Sequence, residues 1–550
     1  MLFRTLFAGI LLAACALAQT SSFPKPAYFR ETFQKAQTKV ELKDPVRLKD
    51  FVAGDKLELS LKHYLELVMA NNTDIQLQLI SLEIPKNNIQ AAFGVWDPRA
   101  LASFTTTRAT TVPTNATTAQ NAASLTKSLT QPYNLQYSQT LPEGLSYTAS
   151  FSGAKSSQTN SYNNYNPSLT ANMRFSVSQP LLQNRGSYVN RIPLMMAQSN
   201  YRVSEYLLRQ QLLNLVNTAE TAYWNVISAR ENVRVAESGR NNASEFLKYM
   251  EKQLELGALS PLDIYNPQQS LANAELSVSQ AKFTLAQAED ALRHQVGADL
   301  DPEIRKLAIS LTESVDLGPA DSIAVDREQA VTKALANHPA MKQALQKLDI
   351  DDLGIQSAKN GLLPSLSFSV YYQTNGTGGM YNPGFSTITG AGAVSTVIPG
   401  GIADALDQMF GFGYPAYYAG LTLNLPIRSR SASAAMATAT VQKKTDMLNL
   451  RNQSQGIRLN ILNAVTKLEG AKEQLKLAKT AMDFAQKNLD AENTKFQLGT
   501  EINQNVINAQ NVLVQAESAV VTNQIGVRLN LLNLLTQTGE LLDERGIVVK

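Results

Sequence analysis

Apolar residues recur every three or four positions over two very long stretches of the chain, residues 192–256 and 431–498. That spacing predicts amphipathic helices with one apolar face. Pro193 would lie in the first turn, where proline is tolerated. Each helix would have about 65 residues and a length of roughly 100 Å, at 1.5 Å per residue. Because a globular domain cannot enclose such a rod, the pattern indicates long coiled-coil hairpins.

The chain also contains an internal repeat. A shift of 242 positions aligns residues 256–297 with 498–539, and a shift of 266 positions aligns residues 70–98 with 336–364. The coinciding landmarks are Leu256-Gly257 with Leu498-Gly499, Gly297 with Gly539, and Pro98 with Pro364. A shared low-complexity helical composition does not explain matching glycine and proline positions. We therefore interpret the chain as two unequal copies of one unit.

Both copies have the same order of elements, which sets the predicted boundaries. First helices are predicted over residues 58–92 and 325–359, with kinks at Pro85 and Pro339. Strand-like segments and the long helices follow. The returning helices are predicted over residues 262–296 and 503–538. The resulting divisions are a first repeat (57–297), a linker (298–324), a second repeat (325–540) and a C-terminal tail (541–550).

Several short segments alternate apolar residues with Ser, Thr and Asn, which is typical of half-buried strands. The segments are residues 99–111, 133–140, 144–153 and 167–180 in the first repeat and 364–373 and 416–426 in the second. Their length suffices to cross a bilayer when tilted, and their alternation suits a barrel wall with lipid outside and a wet lumen. A soluble β-sandwich is the alternative. Residues 131–154 are either an added hairpin or part of the wall.

The segment between the second-repeat strands, residues 375–414, is rich in glycine and is predicted to be a long loop. Gly376, Gly378 and Gly379 could suggest a phosphate cradle. Because no strand-to-helix turn surrounds them, we interpret them as a flexible loop.

The N-terminus has the pattern of a secretory signal peptide over residues 1–18, followed by a lead-in over residues 19–56. A basic start precedes an apolar run, and a small-x-small pattern ends at Ala18. The alternative is a lipobox with cleavage before Cys15 and lipidation of its thiol. Cleavage after Ala18 is favoured because the alternative leaves an unusually short signal. The rest of the chain has no apolar run long enough for a transmembrane helix. The possible locations of the exported protein are therefore the periplasm, the cell exterior, or the outer membrane as a β-barrel.

Composition excludes several classes of function. The 49 Lys+Arg and 46 Asp+Glu residues give a formal charge of +3, without the basic excess of a nucleic-acid-binding protein. One cysteine and three scattered histidines exclude a disulfide framework and a multi-cysteine metal site. No nucleophile–base pair stands out, so we expect neither an enzyme nor a cofactor. The low aromatic content of 7% suits thin helices with small contact residues.

The order of these elements resembles the TolC family of outer-membrane efflux proteins over residues 57–540. Local motifs add to the resemblance: Gln179-Pro180-Leu181-Leu182 and Leu425-Pro426-Ile427 at strand exits, Leu256-Gly257-x-x-Ser260-x-x-Asp263-Ile264 at one helix turn, and Leu498-Gly499-Thr500 at the other. The resemblance implies a mainly α fold with β: a homotrimeric α-helical barrel continuous with a transmembrane β-barrel in the outer membrane of a Gram-negative cell. With about four strands per chain, three copies would supply about twelve strands, enough to close a barrel. The strands of a single chain could not close one.

The resemblance also implies where the site lies. The helix turns would be the periplasmic tips that contact an adaptor, through Leu256, Gly257, Ser260, Leu498, Gly499 and Thr500. The closed entrance would lie beside them, at Asp263, Glu501, Asn505 and Asn508. Asp263 matches an aspartate of the family, whereas Asn505 and Asn508 stand where well-studied members have two aspartates, and Glu501 where some have an arginine. We expect a neutral asparagine ring with carboxylates nearby. The alternative is that both asparagines are ordinary solvated helix residues.

The sequence therefore predicts a passive outer-membrane duct of a tripartite efflux or type I secretion system, whose partners are a periplasmic adaptor and an inner-membrane pump. Small-molecule efflux and protein secretion both stay open. One alternative, a periplasmic adaptor, usually has a single hairpin and a lipoyl-like domain. Another, a coiled-coil surface protein, would place barrel strands at the C-terminus, where Gly539–Lys550 follows a predicted helix.

Overall fold

The computed structural model describes residues 52–53, 56–112, 125–159, 165–257, 260–297, 308–315, 325–381 and 400–547. The chain divides into two compact units, residues 1–47 and 48–550, and every described residue belongs to the second. The predicted signal peptide, Cys15 and most of the lead-in and linker lie outside the described residues.

The two repeats contain corresponding first, long and returning helices, although the number of shorter helices differs. The helices of the first repeat are α1 (Leu61–Asn71), α2 (Thr73–Ser81), α3 (Glu83–Phe93), the long α4 (Ser187–Glu255) and the returning α5 (Tyr265–Val296). Those of the second are α6 (Arg327–Asn337), α7 (Pro339–Gly361), a short α8 (Ile402–Phe410), the long α9 (Arg430–Gln497) and the returning α10 (Asn503–Thr538). The C-terminal tail contains α11 (Leu541–Glu544). Both predicted hairpins are therefore confirmed. No described helix is both long and apolar enough to span a membrane.

The strands form two sheets. A small sheet contains β1 (Val52–Ala53), β2 (Lys56–Leu59) and β8 (Ala308–Leu311). The large sheet contains β3 (Arg99–Phe104), β4 (Thr107–Thr111), β5 (Thr126–Thr140), β6 (Ser146–Gln158), β7 (Tyr165–Pro180), β9 (Ser365–Tyr381) and β10 (Pro415–Asn424). Its order is β10-β9-β7-β6-β5-β3, with β4 continuing β3 along β5. The predicted strand 99–111 is thus two strands, and residues 131–154 belong to the same sheet as the other segments.

Side chains alternate between the two faces of the large sheet along each strand. One face contains mainly apolar residues and is called the apolar face, and the other is called the polar face. One registered row on the apolar face joins Tyr137 to Ala149, Phe175, Tyr372 and Tyr417 across five strands. The adjacent row of the polar face joins Gln136, Ser150, Arg174 and Gln373. Phe175 is 44% exposed and Tyr417 is 76% exposed, so no described residue covers the apolar face there.

Helix α8 lies in the segment that the sequence predicts to be a loop, and this prediction was wrong. Ala405 and Met409 are buried against Ala171 on the apolar face. A Cβ atom at Gly376 or Gly378 would collide with helix backbone carbonyl groups. These glycines therefore belong to strand β9, where they admit the helix.

A second contact of α8 covers the edge of β9 beyond the end of β10. The Gln408 side-chain amide donates to the Thr377 carbonyl at 3.0 Å, and the Thr377 N–H donates to the Gln408 Oε1 at 3.1 Å. Strand β10 pairs with β9 only as far as the Pro415–Thr374 pair. Gln408 thus replaces a neighbouring strand at this point.

The first helix of each repeat is interrupted at an equivalent residue. Asn72 and His338 both have extended backbone, with ψ of 123° and 124°. The break at His338 follows from Pro339, as predicted, since the residue before proline disfavours helical backbone. Pro85 explains a further break at Leu82, because its ring crowds the carbonyl group of Ser81. The break at Asn72 has no proline and was not predicted.

Pro193 lies inside helix α4, since the helix begins earlier, at Ser187. The prediction that Pro193 opens this helix was wrong. Gly186, with φ of +88°, starts the helix instead. The helix continues past Pro193 because only one hydrogen bond near its end is lost.

The largest hydrophobic cluster lies where the small sheet meets α1, α4, α5, α10 and α11. Fully buried Tyr64 and Tyr223 pack against each other within it, with tilted rings whose centroids are 5.4 Å apart. Burial raises the pKa of Tyr64. The Tyr223 hydroxyl donates to the Glu313 carboxylate and also lies 3.1 Å from the Leu59 carbonyl oxygen. This cluster packs the helices of both repeats together midway along α4.

The tips of the two helical hairpins

The two long helices end in the same backbone motif. Gly257 has φ of +72° and Gly499 has φ of +71°, the left-handed conformation that glycine adopts without strain. Each donates its N–H to the carbonyl three residues earlier, at 3.0 Å in both cases. At the second tip the Thr500 N–H also donates to the Lys495 carbonyl, which completes a Schellman motif. The Leu-Gly pairs are therefore helix stops.

At the first tip, Ser260 and Asp263 form a compact turn. The Asp263 N–H donates to the Ser260 carbonyl at 2.9 Å, and the Ser260 N–H donates to the Asp263 Oδ2 at 3.3 Å. The Leu262 N–H donates to the Ser260 hydroxyl oxygen at 3.4 Å. The Asp263 carboxylate is thus engaged within its own turn, just before helix α5.

At the second tip, Glu501 lies directly before the N-terminus of helix α10. Its Oε1 accepts from the Ile502 N–H at 3.1 Å and from the Asn505 side-chain amide at 2.6 Å. The backbone bond from Ile502 first, and then that from Asn505, lower the pKa of Glu501, so its carboxylate is ionised at neutral pH. Such a charge is favourable at a helix N-terminus.

Asn508 is one turn further along α10 and is exposed. Its Oδ1 accepts from the Gln504 side-chain amide at 3.0 Å. Asn505 therefore bonds to Glu501, which precedes the helix, and Asn508 bonds to a neighbour on the same helix. The structure brings Glu501 and Asn505 together, whereas Asn508 pairs with a residue that the sequence did not indicate.

The two tips contact each other through Asn503, which the sequence also did not indicate. Its side-chain amide donates to the Asp263 carbonyl at 3.0 Å. Below this bond, Phe246 and Phe496 pack with ring centroids 5.6 Å apart, beside buried Met250 and Val506. The hairpins are thus packed as a pair near their ends.

Large apolar side chains surround the tips and are exposed in the single chain. The exposed fractions are 76% for Leu256, 74% for Leu262, 64% for Tyr265, 73% for Leu498 and 62% for Ile502. The sequence indicated only the two leucines of the Leu-Gly pairs. A signal for the other three was available, since each lies within a few residues of a helix stop, where no core can cover it.

Paired helical hairpins duplicated in one chain, attached to one sheet with an apolar and a polar face, define the class of outer-membrane efflux channels. A family model described as "Outer membrane efflux protein" matches residues 102–298 and 330–540. The match covers more than half of the chain, which therefore belongs to this family. The resemblance to TolC proteins and the internal duplication are confirmed.

Relatives share this fold at low sequence identity. The chain is 22% identical over 345 residues to the outer membrane efflux protein BepC of Brucella suis biovar 1, which covers 62% of this chain and 67% of BepC. The CmeC outer membrane channel of Campylobacter jejuni superposes with a TM-score of 0.57 at 16% identity, covering 92% of this chain and 91% of CmeC. The outer membrane protein VceC of Vibrio cholerae superposes with a TM-score of 0.57 at 14% identity, covering 87% and 96%.

Proposed function

We propose that the chain is one subunit of a homotrimeric export duct, whose large sheet contributes to a β-barrel in the outer membrane while its helical hairpins extend into the periplasm. The observation that supports this most is the large sheet, which has an exposed apolar face, a polar face and two edges, β3–β4 and β10, that pair with no further described strand. Lipid tolerates no open edge. Pairing between the β10 edge of one copy and the β3–β4 edge of the next removes every edge.

The experiment is fractionation and reconstitution of the full-length protein. We expect a heat-modifiable trimer in outer-membrane fractions that forms pores in planar lipid bilayers. A monomer in the soluble periplasm would overturn the proposal and favour an adaptor.

We further propose that the helix tips form the entrance and the adaptor contact. The exposed Leu256, Leu262, Leu498 and Ile502 side chains offer apolar surface whose burial against a partner is favourable. Binding of the cognate adaptor should weaken in a Leu256→Ser, Leu498→Ser double variant that keeps both glycine stops. Equal adaptor binding by the wild type and the variant, both shown to be trimeric, would place the contact elsewhere.

At the entrance, Asn505 and Asn508 are neutral, and the Glu501 carboxylate bonds to the Asn505 side-chain amide. We propose that divalent cations block this entrance weakly, since Glu501 already accepts two hydrogen bonds. Single-channel conductance with divalent cations on the periplasmic side tests this. The wild type should stay conductive, and an Asn505→Asp, Asn508→Asp variant should gain block. Strong wild-type block that Asn505→Ala abolishes would contradict the proposal.

A further inference from the structure

The large sheet contains six strand positions, two more than the number expected per chain. The additional strands are β5 and β6, and they lie inside the sheet. Strand β6 pairs with β5 from Ser146 to Gln158 and with β7 from Ser146 to Ser156. Strand β3 reaches β7 only through these two strands. The hairpin therefore cannot leave the sheet without separating the β3–β4 edge from the rest.

The additional strands have the same two faces as their neighbours. Tyr137 and Ala149 lie in the apolar row that contains Phe175. Gln136 and Ser150 lie in the polar row that contains Arg174. A hairpin packed over the sheet, or projecting into solvent, would have no reason to keep this register. The pattern is that of a wall in contact with lipid on one side and water on the other.

Their length also suits a wall. Strand β5 has 15 residues and β6 has 13, whereas a tilted strand needs about 9–11 residues to cross a bilayer. The adjacent strand β7 has a similar length, 16 residues. All three can span the membrane side by side.

We infer that hairpin β5–β6 is part of the membrane wall, so that three copies close a barrel of eighteen strands. This rests on the proposed homotrimeric duct. Barrel diameter grows roughly linearly with strand number, so eighteen strands give about 1.5 times the diameter of twelve. Barrels of this size leave a water-filled channel. The membrane exit is then wide, and selection of cargo by size falls to the helix tips.

Thiol labelling of intact cells tests the placement of the hairpin. Cys15 is the only native cysteine, and wild-type cells give the background. On β6 the variants are Ser150→Cys on the polar face and Ala149→Cys on the apolar face. The matched controls on β7 are Ser176→Cys and Phe175→Cys, with Val177→Cys as a second apolar-face control. The probe is a hydrophilic maleimide that does not cross membranes.

We expect labelling of the two serine positions and protection of the apolar-face positions. Labelling of both Ala149→Cys and Ser150→Cys, with Phe175→Cys and Val177→Cys protected, would place the hairpin outside the wall and overturn the inference alone. Labelling of the β7 apolar-face positions as well would overturn the proposed function, because the sheet would not then face lipid.

Electron cryo-microscopy of the purified trimer tests the strand number. Eighteen strands around the axis would support the inference. Twelve strands, with β5 and β6 displaced, would overturn it while leaving the trimeric duct intact.

Discussion

Asn72 and His338 have the same role in the two repeats, as N-caps that restart an interrupted helix. The Asn72 Oδ1 accepts from the Asp74 N–H at 2.9 Å, and the His338 Nδ1 accepts from the Ala340 N–H at 3.2 Å. Each cap lies against the end of a returning helix: the Asn72 side chain donates to the Gln295 carbonyl, and Gly539 lies beside His338. The repeat therefore preserves the joint between helices although the capping residue differs.

His338 should make stability depend on pH. Burial lowers its pKa, and its cap needs an unprotonated Nδ1. Because the folded pKa lies below the unfolded one, the contribution to stability is present above the ordinary imidazole range and is lost as pH falls through that range. Thermal unfolding of the detergent-solubilised protein between neutral and mildly acidic pH measures this.

The repeat itself supplies the matched control. We expect His338→Ala to cost about 1 kcal/mol, as for a lost N-cap. His338→Asn, which copies the residue at position 72, should cost little and should flatten the pH dependence. An asparagine variant as unstable as the alanine variant would show that the ring packs and does not cap.

Arg545 is expected to stabilise the junction of the two repeats. Its guanidinium donates to both carboxylate oxygens of Glu220, at 2.5 Å and 2.9 Å, and Glu220 is only 1% exposed. Arg545→Met leaves a buried charge unpaired, which costs on the order of 3–5 kcal/mol. The Glu220→Met, Arg545→Met double variant should lose less than the single variant. The midpoints of thermal unfolding measure both losses of stability. If the loss in the double variant equalled the sum of the losses in the two single variants, the two charges would not be paired.

Asp351 and Asp446 should have opposite effects on the stability of the protein as pH changes. Burial, and then the neighbouring Asp446 carboxylate, raise the pKa of Asp351. Hydrogen bonding from the Gln442 side chain, above all, lowers the pKa of Asp446. Asp351 is thus destabilising when ionised, and it gains stability as pH falls through its raised pKa. Over the same fall, the contribution of Asp446 is lost.

The variant Asp351→Asn mimics the protonated acid. It should be more stable than the wild type at neutral pH, by about 1 kcal/mol or less, and the difference should shrink on acidification. The adjacent Asp352→Asn is the control, because Asp352 forms an ion pair with Lys443 at 2.5 Å. It should be slightly destabilising. Equal changes in stability for the two variants would show that the Asp351 and Asp446 carboxylates do not interact.

Arg174 should favour anions in the barrel. The strands of the large sheet contain no Asp or Glu, and their basic residues are Arg99, Arg108, Lys127, Lys155 and Arg174. The Arg174 guanidinium lies 3.7 Å from the centroid of the Tyr371 ring on the polar face. Arg174→Gln should lower the ratio of anion to cation permeability about twofold, as expected for one exposed charge.

Reversal potentials in a salt gradient measure that ratio. Lys155→Gln is the matched control, since alternation places Lys155 on the apolar face. A larger effect of Lys155 than of Arg174 would reverse the assignment of the faces.

The sequence specified the features that depend on local periodicity. The Leu-Gly stops at Gly257 and Gly499, the long helices and the strand faces all follow from spacing and from glycine geometry. The break at Asn72 was missed because no proline marks it, and a capping side chain decides it instead. Helix α8 was missed because it is short and its apolar residues are covered by Gly376 and Ala171, which are distant in sequence.

The candidate site was predicted less completely. Positions at the tips could be found from the repeat, since Leu256 and Leu498 align. The bond from Asn503 to the Asp263 carbonyl could not, because it depends on how one hairpin rests on the other. Whether residues 131–154 join the wall was likewise a question of pairing, which strand periodicity alone does not determine.

The contact between Gln408 and Thr377 has a consequence for assembly. It occupies the edge of β9 at Thr377, so in the proposed trimer a neighbouring copy would pair along the 10 residues of β10. A ladder left open above would allow the incoming strand to slip, and each one-residue slip would turn its side chains to the wrong face. In the proposed trimer, helix α8 would thus act as a register stop at the seam between subunits, set before the ring closes.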